Sequence, residues 1–194
     1  MPVRPLESVR IGGREIWPPF TIPSGIITVT PDLIQRVAEE VPIGLITAKS
    51  VGATPRDGYP EPVFSQYSPD SLSTAIGLSN PGYQAWVEEM REFYPIPGKF
   101  LLVSVFGETP EEVVRGAEAV APYADGIELN FCCPHSLRYG EVLAHQGDLT
   151  VEITRKVRIH PLSPDVHATF AICSNAASTS TSPASSLYPE AKTS

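Results

Sequence analysis

The sequence predicts an α/β fold, a parallel sheet covered by helices and of the (β/α)8 barrel type. Three observations carry this. Strand-like and helix-like segments alternate from about Pro19 to Arg158, the pattern of βαβ units. The strand segments are continuous apolar runs without a polar face, as expected of strands buried on both sides. Polar residues gather at the C-terminal ends of several strands: Ser24, Lys49 with Ser50, Ser104, and Asn130 with Cys132 and Cys133. A barrel builds its site at that end. Right-handed βαβ winding leaves an open doubly wound sheet or a closed barrel. The first strand has no G-x-G-x-x-G turn after it, which weakens the open dinucleotide-binding form.

The elements follow in order. "PPFTIPSG" is a short apolar strand ending at Ser24-Gly25. "TPDLIQRVAEEV" is a helix with Thr30 as N-cap and Pro31 at its first position; Leu33, Ile34, Val37, Ala38 and Val41 form one face. "IGLITAKS" is a buried strand closing at Lys49-Ser50, and a long Pro/Gly-rich loop then runs from Val51 to about Gly82. "YQAWVEEMREFY" is the second helix. "KFLLVSVFG" is the strongest strand signal in the chain. "TPEEVVRGAEAVAPY" is a helix capped by Thr109, with acids in its first turn facing the positive end of the helix dipole. "ADGIELNFC" is the fourth strand and "GDLTVEITRKVR" the fourth helix, acidic at its start and basic at its end.

Composition bounds the rest. The chain has 194 residues, 42% hydrophobic and 19% charged, enough for one domain with a substantial core. A net charge of -8 argues against nucleic-acid or anionic-membrane partners. No apolar run reaches the roughly 18 residues of a membrane span. The start, "MPVRPLESVR", lacks the apolar core of a secretory signal. Three cysteines, two of them adjacent, make a poor disulfide framework. The expectation is a cytoplasmic protein with reduced thiols. After Arg158 the chain turns Ser/Thr/Ala-rich, with no period beyond "ATFAIC". The division expected is 1–158, the N-terminal part of a barrel in about four βα units, and 159–194, a divergent, disordered tail.

Several side chains could carry chemistry. Cys132 and Cys133 read as small buried hydrophobes at a strand end, or one of them as a catalytic thiol. A metal site is disfavoured because C-C-P-H lacks C-x2-C spacing and no second cluster exists. Alternation puts Asn130 and Cys132 on one face, with Cys133 free to turn into the mouth as the strand ends. Lys49 reads as a rim lysine, or as a cation aimed at an anionic ligand or an electron-rich ring. The loop "GATPRDGYPEP" is turn chemistry of a length common in binding loops; its Arg56 and Asp57 read equally as solvated charges. In "TAIGLSNPG", Gly77, Asn80 and Gly82 imply tight backbone turns, either structural or lining a site mouth.

Together these segments resemble the dihydroorotate dehydrogenase family, and within it the soluble, cysteine-using class: FMN enzymes on a (β/α)8 barrel. "PFTIPSG" is similar to the family's first strand, "ITAKSVGATPRDGYPEP" to its Thr-Lys-Ser stretch and Pro-Arg-x-Gly-x-Pro-x-Pro loop, "AIGLSNPG" to its Ile-Gly-Leu-x-Asn-Pro-Gly loop, and "ELNFCCPH" to Glu-Leu-Asn-x-Ser-Cys-Pro-Asn/His. The resemblance implies FMN as cofactor and oxidation of dihydroorotate to orotate in pyrimidine biosynthesis. It implies Cys133 as the base that takes the C5 proton, with hydride passing to FMN. It implies FMN contacts for Ser24, Gly25, Lys49, Ser50, Ser104 and Asn130. Substrate contacts fall to Lys49, Thr74, Ile76, Gly77, Leu78, Asn130 and His135, and no metal is implied. A homodimer or an electron-transfer subunit is the expected partner.

Three positions depart from the family pattern. Thr74 stands where the family has asparagine, His135 follows Cys133-Pro134, and Pro161 takes the place of a flavin-binding lysine before Leu162-Ser163-Pro164-Asp165. The first two positions touch the pyrimidine in the family. The resemblance covers about Pro19–Arg158, the first half of a barrel, with two parallel edges left open. The expectation is that the chain alone holds FMN weakly or not at all. The rival readings are a non-catalytic half barrel acting as a binding module, and a dihydropyrimidine dehydrogenase-like FMN enzyme.

Overall fold

The structure is a computed structural model that describes residues 6–131, 147–159 and 168–172. It opens with a hairpin, β1 (Val9–Ile11) and β2 (Arg14–Ile16), paired antiparallel across a two-residue turn. Gly12 and Gly13 both have positive φ there, 55° and 83°, a pairing that glycine tolerates and that suits the twist of a tight hairpin. The main sheet has five parallel strands in the order β3 (Thr21–Ile22), β4 (Leu45–Val51), β7 (Phe100–Val105), β8 (Gly126–Asn130) and β9 (Ala168–Ile172). Helices α1 (Pro31–Glu40), α2 (Tyr83–Met90), α3 (Pro110–Val120) and α4 (Gly147–Ile159) separate successive strands. This is part of a (β/α) barrel, as the sequence predicts, with each expected helix and strand in place.

The helix starts follow their caps. Thr30 accepts a hydrogen bond from the Leu33 N–H at 3.4 Å, and Thr109 accepts one from the Glu112 N–H at 3.2 Å; each is followed by proline at the first helical position. On the helix side of the sheet, Ile46, Ala48, Val51, Leu101, Val103, Val105, Ile127 and Leu129 pack against Ile34, Trp86, Met90, Val113, Ala117, Ile153 and Val157. On the inner side, Leu45, Phe100 and Leu102 pack against Ile16 of the hairpin. Burial on both faces explains why these strands show no alternation in sequence. The hairpin sits at the N-terminal ends of β4 and β7, opposite the strand ends that carry the polar residues. Arg14 fastens it there: it pairs with the buried Asp125, donates to the Lys99 carbonyl at 3.3 Å, and lies 5.3 Å from the centre of the Phe100 ring.

Two features add to the sequence reading. The long loop after β4 holds an antiparallel ribbon, β5 (Phe64–Ser68) with β6 (Ser71–Thr74). Within the segment 159–194 lies β9, which pairs with β8 from Gly126↔Ala168 to Asn130↔Ile172. Among the described residues, no helix is long and apolar enough to cross a membrane.

Candidate functional site

Four of the polar residues foreseen at the strand ends meet. Ser24 follows β3, Ser50 lies near the end of β4, Ser104 near the end of β7, and Asn130 closes β8. Ser50 is their hub. Its N–H donates to Ser24 Oγ at 3.0 Å, and the two hydroxyls lie 3.3 Å apart. The Ser50 and Ser104 hydroxyls share a 2.8 Å hydrogen bond, and Asn130 Nδ2 donates to Ser50 Oγ at 3.0 Å. Ser50 and Ser104 are buried, whereas Ser24 and Asn130 are half-buried. The cluster therefore has its base in the sheet and its rim toward the mouth.

A bulge makes this arrangement possible. The pairing of β4 with β7 runs in step from Leu45↔Phe100 to Ala48↔Val103, then resumes at Val51↔Val105. Lys49 and Ser50 thus oppose Ser104 alone. An extra residue in one strand re-aims side chains locally, so two neighbouring polar residues share one end of a strand that otherwise alternates. Lys49 is half-buried.

Glu128 is the member of the cluster that sequence reasoning missed. It sits beside Ser104 in the register of β7 and β8, only 6% exposed. Burial pushes its carboxyl above the ordinary glutamate range, and the Ser104 hydroxyl, donating to the carboxylate, works in the opposite direction. The signal was present in "IELNF": alternation places Glu128 on the face of Asn130, and a charged residue inside a buried strand needs a partner.

The two loops around the mouth are sewn together by Asn80. Its Oδ1 accepts from the Gly52 N–H at 3.1 Å and the Gly82 N–H at 2.9 Å, and its Nδ2 donates to the Leu78 carbonyl at 2.8 Å. Its backbone exchanges two hydrogen bonds with Arg56, at 2.9 and 3.0 Å. Gly77 is buried with φ of 75°, and a Cβ there would lie 2.8 Å from the Tyr59 ring. Leu78 takes the left-handed φ of 57° and packs on Phe106. Ile76 is half-buried and its carbonyl accepts from the Tyr59 N–H at 3.0 Å. Thr74 is exposed at the end of β6, opposite Phe64. Gly25, beside Ser24, is held by the Thr28 hydroxyl, which accepts from its N–H at 3.1 Å. Cys132, Cys133, His135 and Pro161 lie outside the described residues.

The strand ends thus gather a set of hydrogen-bonding side chains. Three hydroxyls, a carboxamide and one lysine stand at strand ends that the sheet holds in place. Among the described residues, no group of acids, histidines and cysteines could hold a metal ion.

Comparison with known proteins finds relatives of this chain. A family model described as "Dihydroorotate dehydrogenase" matches residues 7–174. The chain is 37% identical over 151 residues to a protein of Pyrococcus abyssi named dihydroorotate dehydrogenase B (NAD(+)), catalytic subunit, covering 77% of this chain and 49% of that protein. Its namesake in Pyrococcus horikoshii is 35% identical over 173 residues, covering 85% of this chain and 55% of the relative. The chain spans about half the length of the curated relatives it matches. Among solved structures, a dihydroorotate dehydrogenase of Eimeria tenella in complex with ferulenol has the same fold, with a TM-score of 0.62 at 16% identity over 78% of this chain and 42% of that one.

Proposed function

The chain belongs to the dihydroorotate dehydrogenase family, and we propose that it carries the substrate-side half of an FMN-dependent oxidoreductase that converts dihydroorotate to orotate. One observation carries the reading: Ser24, Ser50, Ser104 and Asn130, from four strand ends, converge in one hydrogen-bonded cluster. In a barrel that end is where ligands bind. Family membership supports FMN as the ligand, and the donor set fits its ring. FMN, when bound, supplies the hydride acceptor.

The chain's own residues divide the remaining work. Lys49, half-buried beside Ser50, supplies positive charge for the substrate carboxylate and the electron-rich ring. Asn130 orients the pyrimidine. Cys133, three residues on in sequence, is the base for the C5 proton, a role that suits a thiol whose pKa lies near the working pH. Ile76, Gly77 and Leu78 shape the pocket wall, with Thr74 and His135 as further substrate contacts. The phosphate end of FMN falls to the part of the barrel this chain does not span. The relatives' name, a catalytic subunit acting with NAD(+), supports an electron-transfer subunit as partner.

The test is anaerobic single-turnover reduction of FMN with the chain in excess over the flavin. Dihydroorotate should bleach the flavin absorbance. Cys133→Ala should abolish that bleaching and leave flavin binding unchanged, while Cys132→Ala should be mild. The reverse order would reassign the base, and bleaching by dihydrouracil alone would reassign the substrate.

A further inference from the structure

The five strands of the main sheet carry two charged side chains between them, Lys49 on β4 and Glu128 on β8. The flavin reading gives Lys49 a task and leaves Glu128 without one. A buried carboxyl in an apolar strand costs stability unless something uses it. Its neighbour on β7 is Ser104, whose hydroxyl also contacts Ser50, and Ser50 in turn receives the Asn130 amide. We propose that Glu128 is a positioning residue: through Ser104 and Ser50 its carboxyl sets the direction of a hydroxyl chain and thereby how firmly the Asn130 amide is held. The proposal rests on the reading of Asn130 as a ring-binding group.

The direction follows from donor and acceptor counts. A hydroxyl has one proton to give and two lone pairs to receive with. When Glu128 is ionised it only accepts, so Ser104 donates to it and Ser50 donates to Ser104. The Ser50 oxygen is then open to Asn130 Nδ2, the arrangement observed, and the amide carbonyl is fixed on the side away from Ser50. When Glu128 is neutral its proton goes to Ser104. Ser104 then donates to Ser50, so Ser50 Oγ accepts from both Ser104 and Asn130 Nδ2 while its own proton turns toward Ser24, 3.3 Å away; an oxygen that accepts twice, and no longer donates into a chain ending on an anion, holds the amide less firmly. One proton at Glu128 thus reverses two hydroxyl groups and loosens Asn130.

Among the described residues, the strands of the main sheet carry one ionisable side chain besides Glu128. β7 and β9 carry none, β3 carries none, and β4 carries Lys49. Asp125, just before β8, is committed to Arg14 at the opposite end of the sheet.

The Asn130 side-chain amide is observable in the 15N-labelled full chain without any cofactor. Its signals should move with pH along the same curve as the Glu128 carboxyl, with a midpoint above 4.5. In Glu128→Gln, which keeps the shape and removes the titration, the movement should be lost. In Ser104→Ala, Glu128 should still titrate while Asn130 no longer follows. An Asn130 signal that titrates unchanged in Glu128→Gln, or stays still while Glu128 titrates in the parent chain, overturns the proposal. Adding FMN to the same samples separates this inference from the reading it builds on. Coupling without any FMN response supports Glu128 as positioning residue and removes the flavin assignment. An FMN response without coupling removes Glu128 from the account and leaves the flavin reading standing.

Discussion

Ser50 holds three polar partners at once, and its loss exposes them all. Ser50→Ala removes the acceptor of Asn130 Nδ2 and the hydroxyl partner of Ser104, a residue with no exposed surface. Losing these hydrogen bonds costs about 1–3 kcal/mol, which a denaturant titration would read as a lower midpoint at unchanged slope. Glu128 makes a prediction with a definite sign. Its folded-state pKa lies above the ordinary 4.5, so the folded protein holds this proton more tightly than the unfolded chain does. The resulting stability is fully present below about 4.5 and is lost as pH rises through the folded value. Glu128→Gln should flatten that part of the stability profile above about pH 4.5, read by thermal unfolding; a profile identical to the parent's would contradict the burial argument. At this scale the site was partly legible. Ser24, Ser50, Ser104 and Asn130 could be named because each ends an apolar run. Glu128 was missed: alternation puts it on the face of Asn130, but a carboxylate inside such a run looks like an interruption until its register partner Ser104 is known.

At the scale of elements, periodicity made the helices and parallel strands readable, while short or locally paired pieces escaped it. Three-residue strands such as Val9–Ile11 and Arg14–Ile16 give no usable period, although the Gly12-Gly13 pair between them is a hairpin signal. The ribbon Phe64–Thr74 was hidden in a Pro/Gly-rich stretch because its residues are nearly all exposed and carry no buried face to announce it. The β4 bulge was invisible for a different reason: it is a property of the pairing with β7, not of β4 itself. Two loop glycines, Gly58 beside the mouth and Gly98 at the opposite end of the sheet, can be graded by substitution. Gly58 has φ of 83°, and a Cβ there would lie 2.3 Å from the Ile76 carbonyl oxygen; Gly98 has φ of 70° with nothing within 4 Å. Gly98→Ala should cost about 1 kcal/mol, the conformational penalty alone. Gly58→Ala adds a backbone clash and should cost about 3 kcal/mol or more. Equal losses in chemical denaturation would mean that the loop gives way freely.

At the scale of the molecule, five parallel strands form part of a barrel, closed at the N-terminal end by the β1–β2 hairpin and polar at the C-terminal end. The chain spans about half the length of the curated relatives it matches, and β3 and β9 are the edges of the sheet. Strand–helix alternation revealed this architecture from sequence. The place of β9 was harder to see, since its five residues stand apart from the alternation and gain their meaning from pairing with β8. The central claim is that the strand-end cluster is a flavin site. It is tested most directly by titrating FMN into the 15N-labelled chain and mapping the perturbed amides. Weak binding is expected, with the backbone signals of Ser24, Ser50 and Ser104 and both amides of Asn130 moving first and together. No perturbation at saturating FMN, or perturbation centred on Arg14, Lys99 and Phe100 at the opposite end of the sheet, would contradict the account.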